Sequence, residues 1–167
     1  MRRLAPLALL ATLGGMSLSA CATMNSGVDL TPSNAPAFVA MAASSDMYEV
    51  ESSRLALQRS RNPMLRMHAE MMIRDHTNTT TQLRAAAASA GLGVPMQMLP
   101  LHAGLLDQLA RSPDFDAVYR SQQLTSHRQA LALHYNFARR GDVPQLRGVA
   151  AAAVPVVRGH LEHIRRM

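Results

Sequence analysis

Four ionisable side chains stand at or near the apolar faces of predicted helices. His76, His127 and His160 each fall within a stripe of apolar residues at 3/4 spacing, and Glu49 lies beside a similar stripe. Burying an unpaired carboxylate or imidazolium is costly, so each of these groups needs a partner. If the helices form one bundle, the four groups can converge. Three imidazoles and one carboxylate are a reasonable ligand set for one divalent ion, Zn, Mn, Fe or Cu.

Further polar residues near these four could orient them. We expect such neighbours to fix the tautomer and ring orientation of each imidazole. The candidates are Asp75, Asp116, Tyr119 and Gln123. The alternative is a purely structural polar network in a non-enzymatic protein that docks a partner or the cell envelope, because a histidine on an apolar face is usually a hydrogen-bonded core residue.

The second predicted helix also carries a methionine-rich face. Met64, Met67 and Met71 share one side of it, with His68 one turn beyond Met64. Thioether and imidazole ligands suit Cu(I), so Cu(I) binding in the periplasm is a weaker alternative function. It requires those sulfur atoms to reach solvent or a cleft, whereas methionine commonly fills irregular cores.

Signatures of catalysis are missing from the sequence. There is no Gly-x-Ser-x-Gly motif and no glycine-rich phosphate loop. We therefore predict no catalytic residue and favour a binding or structural protein over an enzyme.

The elements that must position these side chains are predicted to be α-helices. From Ala37 onwards the apolar residues follow helical spacing, and strand signals are nearly absent. Proline and glycine divide the chain into four long segments and one short one, with Ser112 as a cap and Pro113 as the first residue of the third long segment. The predicted ranges are about 36–60, 63–90, 101–109, 113–140 and 143–166.

The N-terminus has the order of an export signal. Arg2 and Arg3 precede an apolar run over residues 4–13 and then small residues, and the only cysteine closes the sequence Leu-Ser-Ala-Cys at Cys21. That ending resembles the lipobox of bacterial lipoproteins, whose cysteine is lipidated. Ordinary secretion with cleavage after Ala22 is the alternative.

These features predict three segments. Residues 1–20 are a signal peptide, 21–36 a flexible tether and 37–167 the helical domain. A lipid on Cys21 would attach the protein to a membrane. The residue after the cysteine is Ala22 and not an aspartate. By resemblance to the sorting of bacterial lipoproteins, this favours an exported, periplasm-facing protein of the outer membrane.

Composition argues against a nucleic-acid partner. The formal charge is +6 and all 17 Lys and Arg side chains are arginines. A basic charge can indicate nucleic-acid binding, but an exported protein rarely meets nucleic acid. Aromatic residues make up only 4% of the chain and Trp is absent, so base-stacking platforms are not expected. With one cysteine, no intrachain disulfide can form.

The order and spacing of several motifs resemble the DUF4142 family of exported bacterial proteins. The matching residues are Phe38-Val39, Glu49-Val50-Glu51, Leu55-Ala56, Asn62-Pro63, Met72-Ile73-Arg74-Asp75-His76, Phe115-Asp116, Tyr119, His127, Pro155, Arg158 and His160-Leu161. The resemblance implies an all-α, ferritin-like four-helix bundle with a long crossover, containing a short helix, between helices 2 and 3. It implies no activity, because the family's biochemical role is not established.

Ferritin-like proteins often hold two metals with Glu-x-x-His pairs. This chain has no Glu-x-x-His. We therefore expect a single-metal site, or none, in place of a di-iron centre.

Overall fold

The computed structural model describes residues 29–167, which form five α-helices. Their bounds are α1 (Ala35–Arg59), α2 (Pro63–Ser89), α3 (Pro100–Arg111), α4 (Phe115–Arg140) and α5 (Pro144–Arg165). The predicted all-α bundle, with its short helix in the crossover, is confirmed. The predicted signal peptide and Cys21 lie outside the described residues.

Asparagine and aspartate side chains set the starts of three helices. The Asn34 side chain accepts a hydrogen bond from the Ala37 N–H, and Asn62 does the same for Met64. The predicted start of α4 was wrong by two residues. Asp114 caps that helix, because its carboxylate accepts from the Ala117 N–H. Ser112 follows the last turn of α3.

The four long helices pack around one axis. Short connections make α1–α2 and α4–α5 antiparallel pairs, and α1 also packs on α4 while α2 packs on α5. The crossover carries α3 across α1 and α4. Ser44 fixes this crossover, since its hydroxyl accepts from the Leu99 N–H at 2.7 Å and hydrogen-bonds His102 Nδ1 at 2.7 Å. No helix within residues 29–167 is long and apolar enough to cross a membrane.

Apolar side chains form two clusters near opposite ends of the bundle. Phe38 and Phe137 stack in the first cluster, with ring centres 3.8 Å apart, and Leu109 and Tyr119 are fully buried in the second. Between the clusters lies a layer of buried polar side chains. Its ionisable members are Asp46, Glu49, His68, His76, His127 and His160. The bundle therefore buries these six titratable groups together, while His102 and His134 are buried against Tyr48 and Phe38.

Small residues on α1 make room for that layer. Between the two apolar clusters, to which its buried alanines belong, α1 buries four serines: Ser44, Ser45, Ser52 and Ser53. Their short side chains let imidazoles from the facing helices fill the centre of the bundle.

The last residues of the predicted tether also contact the bundle, because Leu30 packs against the first cluster and Asn136 donates to the Thr31 carbonyl at 2.6 Å.

We expect Gly141→Ala to destabilise the fold by about 1–3 kcal/mol, the usual cost of overpacking a core. A Cβ at Gly141 would lie 2.5 Å from the Phe137 ring, which stacks on Phe38 and cannot move away freely. Gly148→Ala is the matched control, since a Cβ there meets nothing within 4 Å. That helical position should gain stability. Urea unfolding followed by circular dichroism measures both changes, and equal stabilities would contradict the packing argument.

Candidate metal centre

Three imidazoles from three helices converge in the polar layer. His76 of α2, His127 of α4 and His160 of α5 each offer one ring nitrogen, and these nitrogens lie within 4.8 Å of one another. The ring centres are 5.4–5.7 Å apart. All three side chains are buried, with residue exposures of 1–3%. The structure thus brings together the three histidines of the predicted set.

The second ring nitrogen of each imidazole has a partner outside the cluster. His76 Nδ1 lies 2.8 Å from Asp46 Oδ1, and His160 Nε2 lies 2.8 Å from Asp75 Oδ2. His127 Nδ1 donates to the backbone carbonyl of Gln123 at 2.9 Å. A carboxylate or carbonyl behind an imidazole is the usual arrangement behind a metal-binding histidine, because it fixes the tautomer and the ring orientation.

The inner nitrogens have no hydrogen-bond partner among residues 29–167. They are His76 Nε2, His127 Nε2 and His160 Nδ1, and each is buried. A buried polar atom without a partner is costly and calls for an explanation. Three such atoms at one point are explained together if they are the ligands of an ion.

Burial and neighbouring charges shift the imidazole pKa values in different directions. Burial alone would lower the pKa of His76, but the hydrogen bond and charge of Asp46, with the charge of Glu49, raise it above its usual value. Burial, together with the nearby His76 and His160, holds the pKa of His127 well below its usual range. Burial also lowers the pKa of His160, although the hydrogen bond and charge of Asp75 raise it in part. Neutral imidazoles, the form that binds metal, are therefore favoured at His127 and His160.

Glu49 lies behind His127 and outside the histidine cluster. One carboxylate oxygen accepts from Gln123 Nε2 at 2.5 Å, and the other is 3.7 Å from His127 Nδ1, the nitrogen turned away from the cluster. Glu49 is thus placed among the groups that orient the imidazoles, and the structure does not bring it to the convergence point.

The four residues predicted to orient the ligands divide into two pairs. Asp75 and Gln123 contact histidines of the cluster, as described above. Tyr119 hydrogen-bonds Ser53 at 2.9 Å, in the neighbouring apolar cluster. Asp116 lies beside Asn62 and Arg120 at one end of the bundle. Neither Tyr119 nor Asp116 has a hydrogen bond to a histidine.

Sequence reasoning missed Asp46. One carboxylate oxygen of Asp46 hydrogen-bonds His76 Nδ1. The other accepts from the hydroxyls of Thr79 and Thr80, at 3.0 Å each. The available signal was its spacing, because Asp46 precedes Glu49 by three residues and so shares a face of α1. Within residues 29–167, no arginine forms an ion pair with either of these two buried carboxylates.

A polar cleft between α2 and α5 approaches the cluster from outside. Its lining includes Asp75, Thr79 and Gln82 of α2, facing the small side chains of Ala152 and Ala153 on α5. Asp75 is 26% exposed and touches His160 directly. The cleft is therefore lined by a carboxylate that hydrogen-bonds a histidine of the cluster.

A family model described as a domain of unknown function, DUF4142, matches residues 20–167. No curated protein matches the chain. The solved structures that share its fold at low identity include two forms of CopM and a DUF305 fragment. CopM in the Cu(II)-bound form is 19% identical with a TM-score of 0.67, covering 80% of this chain and 94% of that one. CopM in the Cu(I)-bound form is 18% identical with a TM-score of 0.65, covering 78% and 92%. A DUF305 fragment from Deinococcus radiodurans is 17% identical with a TM-score of 0.65, covering 77% and 90%.

Proposed function

This chain belongs to the DUF4142 family, and we propose that its bundle is a metal-binding module in which His76, His127 and His160 hold one divalent transition-metal ion. The observation that carries the proposal is the convergence of three buried nitrogens that lack other partners. An ion about 2.0–2.1 Å from each nitrogen in tetrahedral geometry would bring them to about 3.4 Å apart. The nitrogens now lie within 4.8 Å of one another, so they would have to approach by up to about 1.4 Å.

The charge of the layer favours a dication. Asp46 and Glu49 are buried carboxylates with exposures of 5% and 1%, and Asp75 adds a third, partly exposed one. Buried charges need compensation. A divalent ion bound by neutral imidazoles would supply it at the centre of the three.

Copper is the first candidate for the ion. Imidazole suits Zn and Cu, and the general affinity order of divalent first-row metals places Cu(II) above Zn. Structures of similar fold are described as the Cu(II)-bound and Cu(I)-bound forms of CopM. Three protein ligands leave a coordination position for a small molecule from the cleft.

A purely structural polar layer is the competing explanation. In that case the ionisable groups should hydrogen-bond one another pairwise across the centre. Instead, His76, His127 and His160 each pair outward, with Asp46, Gln123 and Asp75. This arrangement supports the metal-binding proposal.

The proposal places the module outside the cytoplasm, held to the outer membrane by a lipid on Cys21. The support is the order of the N-terminal sequence, from Arg2-Arg3 through the apolar run to Leu-Ser-Ala-Cys. A binding role facing the periplasm needs no catalytic residue, so the protein is proposed as a carrier or buffer of metal and not as an enzyme.

Titration of the purified protein with Cu(II) and, separately, Zn(II) tests the site. We expect one equivalent to bind, and we expect His76→Gln/His160→Gln to weaken binding at least 1,000-fold, because two of three ligands are lost. His134→Leu is the matched control: His134 is also a buried histidine, but it lies outside the cluster. The control should bind like the unaltered protein.

Two outcomes would overturn the proposal. One is negligible binding of both metals by the folded protein, which would leave the structural polar layer. The other is equal affinity in the double variant and the unaltered protein, which would place the metal elsewhere. Circular dichroism at 222 nm checks that the variants keep their helices.

A further inference from the structure

We infer a second metal site, for a soft monovalent ion such as Cu(I) or Ag(I), at the seam between α2 and α5, with His68 and His163 as its imidazole ligands. Thioethers of Met64 and Met71 complete it. The site shares no ligand with the triad of His76, His127 and His160, although the His68 and His127 ring centres are 6.3 Å apart. It gives the methionine-rich face of α2 a second imidazole, His163, beside the His68 that the sequence already placed there.

The two imidazoles already meet at the seam. His68 Nδ1 lies 3.1 Å from His163 Nδ1. The rings are nearly parallel, at 6°, with centres 5.3 Å apart, so the two nitrogens meet edge to edge. His68 is fully buried and His163 is half-buried on the last turn of α5. One ligand is therefore fixed, and the other lies where an ion can arrive from solvent.

A chain of hydrogen bonds determines which His68 nitrogen is free to bind an ion. The Glu49 carboxylate only accepts, so the Gln123 amide must donate its N–H to it. That leaves Gln123 Oε1 as an acceptor, 3.0 Å from His68 Nε2. His68 must then carry its proton on Nε2, which places its lone pair on Nδ1, facing His163.

The same hydrogen bonds determine which proton must move when an ion binds. Without metal, the protonated Nδ1 of His163 donates a hydrogen bond to His68 Nδ1. When an ion takes the space between them, the His163 proton moves to Nε2 through solvent, and both Nδ1 atoms become ligands. No net proton is released and no oxidation occurs. Bonds of about 2 Å from the ion to both nitrogens would widen the present gap of 3.1 Å, and His163 moves more easily than His68 because its side chain is only half-buried.

Thioethers flank this pair on α2. Met64 and Met71 are four residues before and three residues after His68, so they lie on its side of the helix. Met64 is 46% exposed, and Met71 is half-buried. Neither side chain is therefore enclosed in the core. Soft thioether and imidazole ligands together select Cu(I) over harder divalent ions.

Silver titration of the full chain provides the test, because Ag(I) is a redox-stable probe of a Cu(I) site. We expect tight Ag(I) binding that shifts the side-chain ¹⁵N resonances of His68 and His163. The variant His163→Gln should weaken binding at least 10-fold, and Met64→Leu/Met71→Leu should also weaken it. Met67→Leu is the control, since Met67 is equally exposed, at 49%, but lies further round the helix from His68.

The triad variant His76→Gln/His160→Gln separates the two sites. If the seam site exists, this variant keeps its Ag(I) affinity and its shifts at His68 and His163, whatever happens to Cu(II). Unchanged Ag(I) affinity in folded His163→Gln would overturn the inference. So would Ag(I) shifts confined to His76, His127 and His160.

Discussion

Acidification from pH 7 to 4 is expected to remove about 6 kcal/mol of folding stability through His68 and His134 alone. Burial lowers the pKa of each to about 4, from an ordinary value of 6.5. Between about pH 6.5 and 4, these two histidines are therefore protonated in the unfolded chain but largely neutral in the folded protein. Stability is thus unaffected above about pH 6.5, falls as the pH drops, and stops falling from this cause near pH 4. Each histidine contributes about 3 kcal/mol over that window.

His76 acts in the opposite direction, because its pKa is raised in the folded protein. It stabilises the fold at low pH and loses that contribution as the pH rises, so it offsets part of the loss. Since small domains have only about 5–15 kcal/mol of stability, unfolding at mildly acidic pH should be evident.

Urea unfolding of the metal-free protein at intervals between pH 4 and 8 measures this loss. His134→Leu should reduce the slope of stability against pH, between about pH 6 and 5, by about 1 kcal/mol per pH unit. His134 packs its ring edge against Phe38, an apolar contact that leucine can replace. The same slope in both proteins would show that His134 is protonated as easily folded as unfolded.

Asp46→Asn is expected to weaken binding of a divalent ion about 10–100-fold, although Asp46 is not a proposed ligand. Its carboxylate orients His76 and makes that imidazole a stronger donor to the ion. An asparagine keeps the size of the side chain but removes the charge. Its amide can place only one oxygen against three donors, namely His76 Nδ1 and the hydroxyls of Thr79 and Thr80.

Asp75→Asn should have a smaller effect on the same affinity. Asp75 plays the corresponding role for His160, but it is 26% exposed and water can replace part of its contact. Glu51→Gln is the neutral control, because Glu51 pairs on the surface with Arg54. Competition titrations at fixed pH give all three affinities. An Asp46→Asn affinity equal to that of Glu51→Gln would show that the carboxylate does not support the site.

Several features of the fold could be read from local sequence. Helical spacing of apolar residues predicted the long helices, and Asn62-Pro63 and Gly91 marked the ends of α2 closely. Local signals failed where two residues competed for one role, as when Asp114 rather than Ser112 capped α4. The reason is that capping depends on which side chain reaches the first free N–H groups, and that is decided by the backbone path.

The sequence by itself determined that His76, His127 and His160 would face inward, because helical spacing places each of them in an apolar stripe. Only the tertiary structure decided which nitrogen of each ring lacks a hydrogen-bond partner. It also decided that the carboxylate of Asp46 hydrogen-bonds His76. Glu49 shows why: spacing gives the face of a helix but not the rotation and depth at which helices pack. Those are set by the small side chains of α1 and the crossover through α3, which act between segments far apart in the chain.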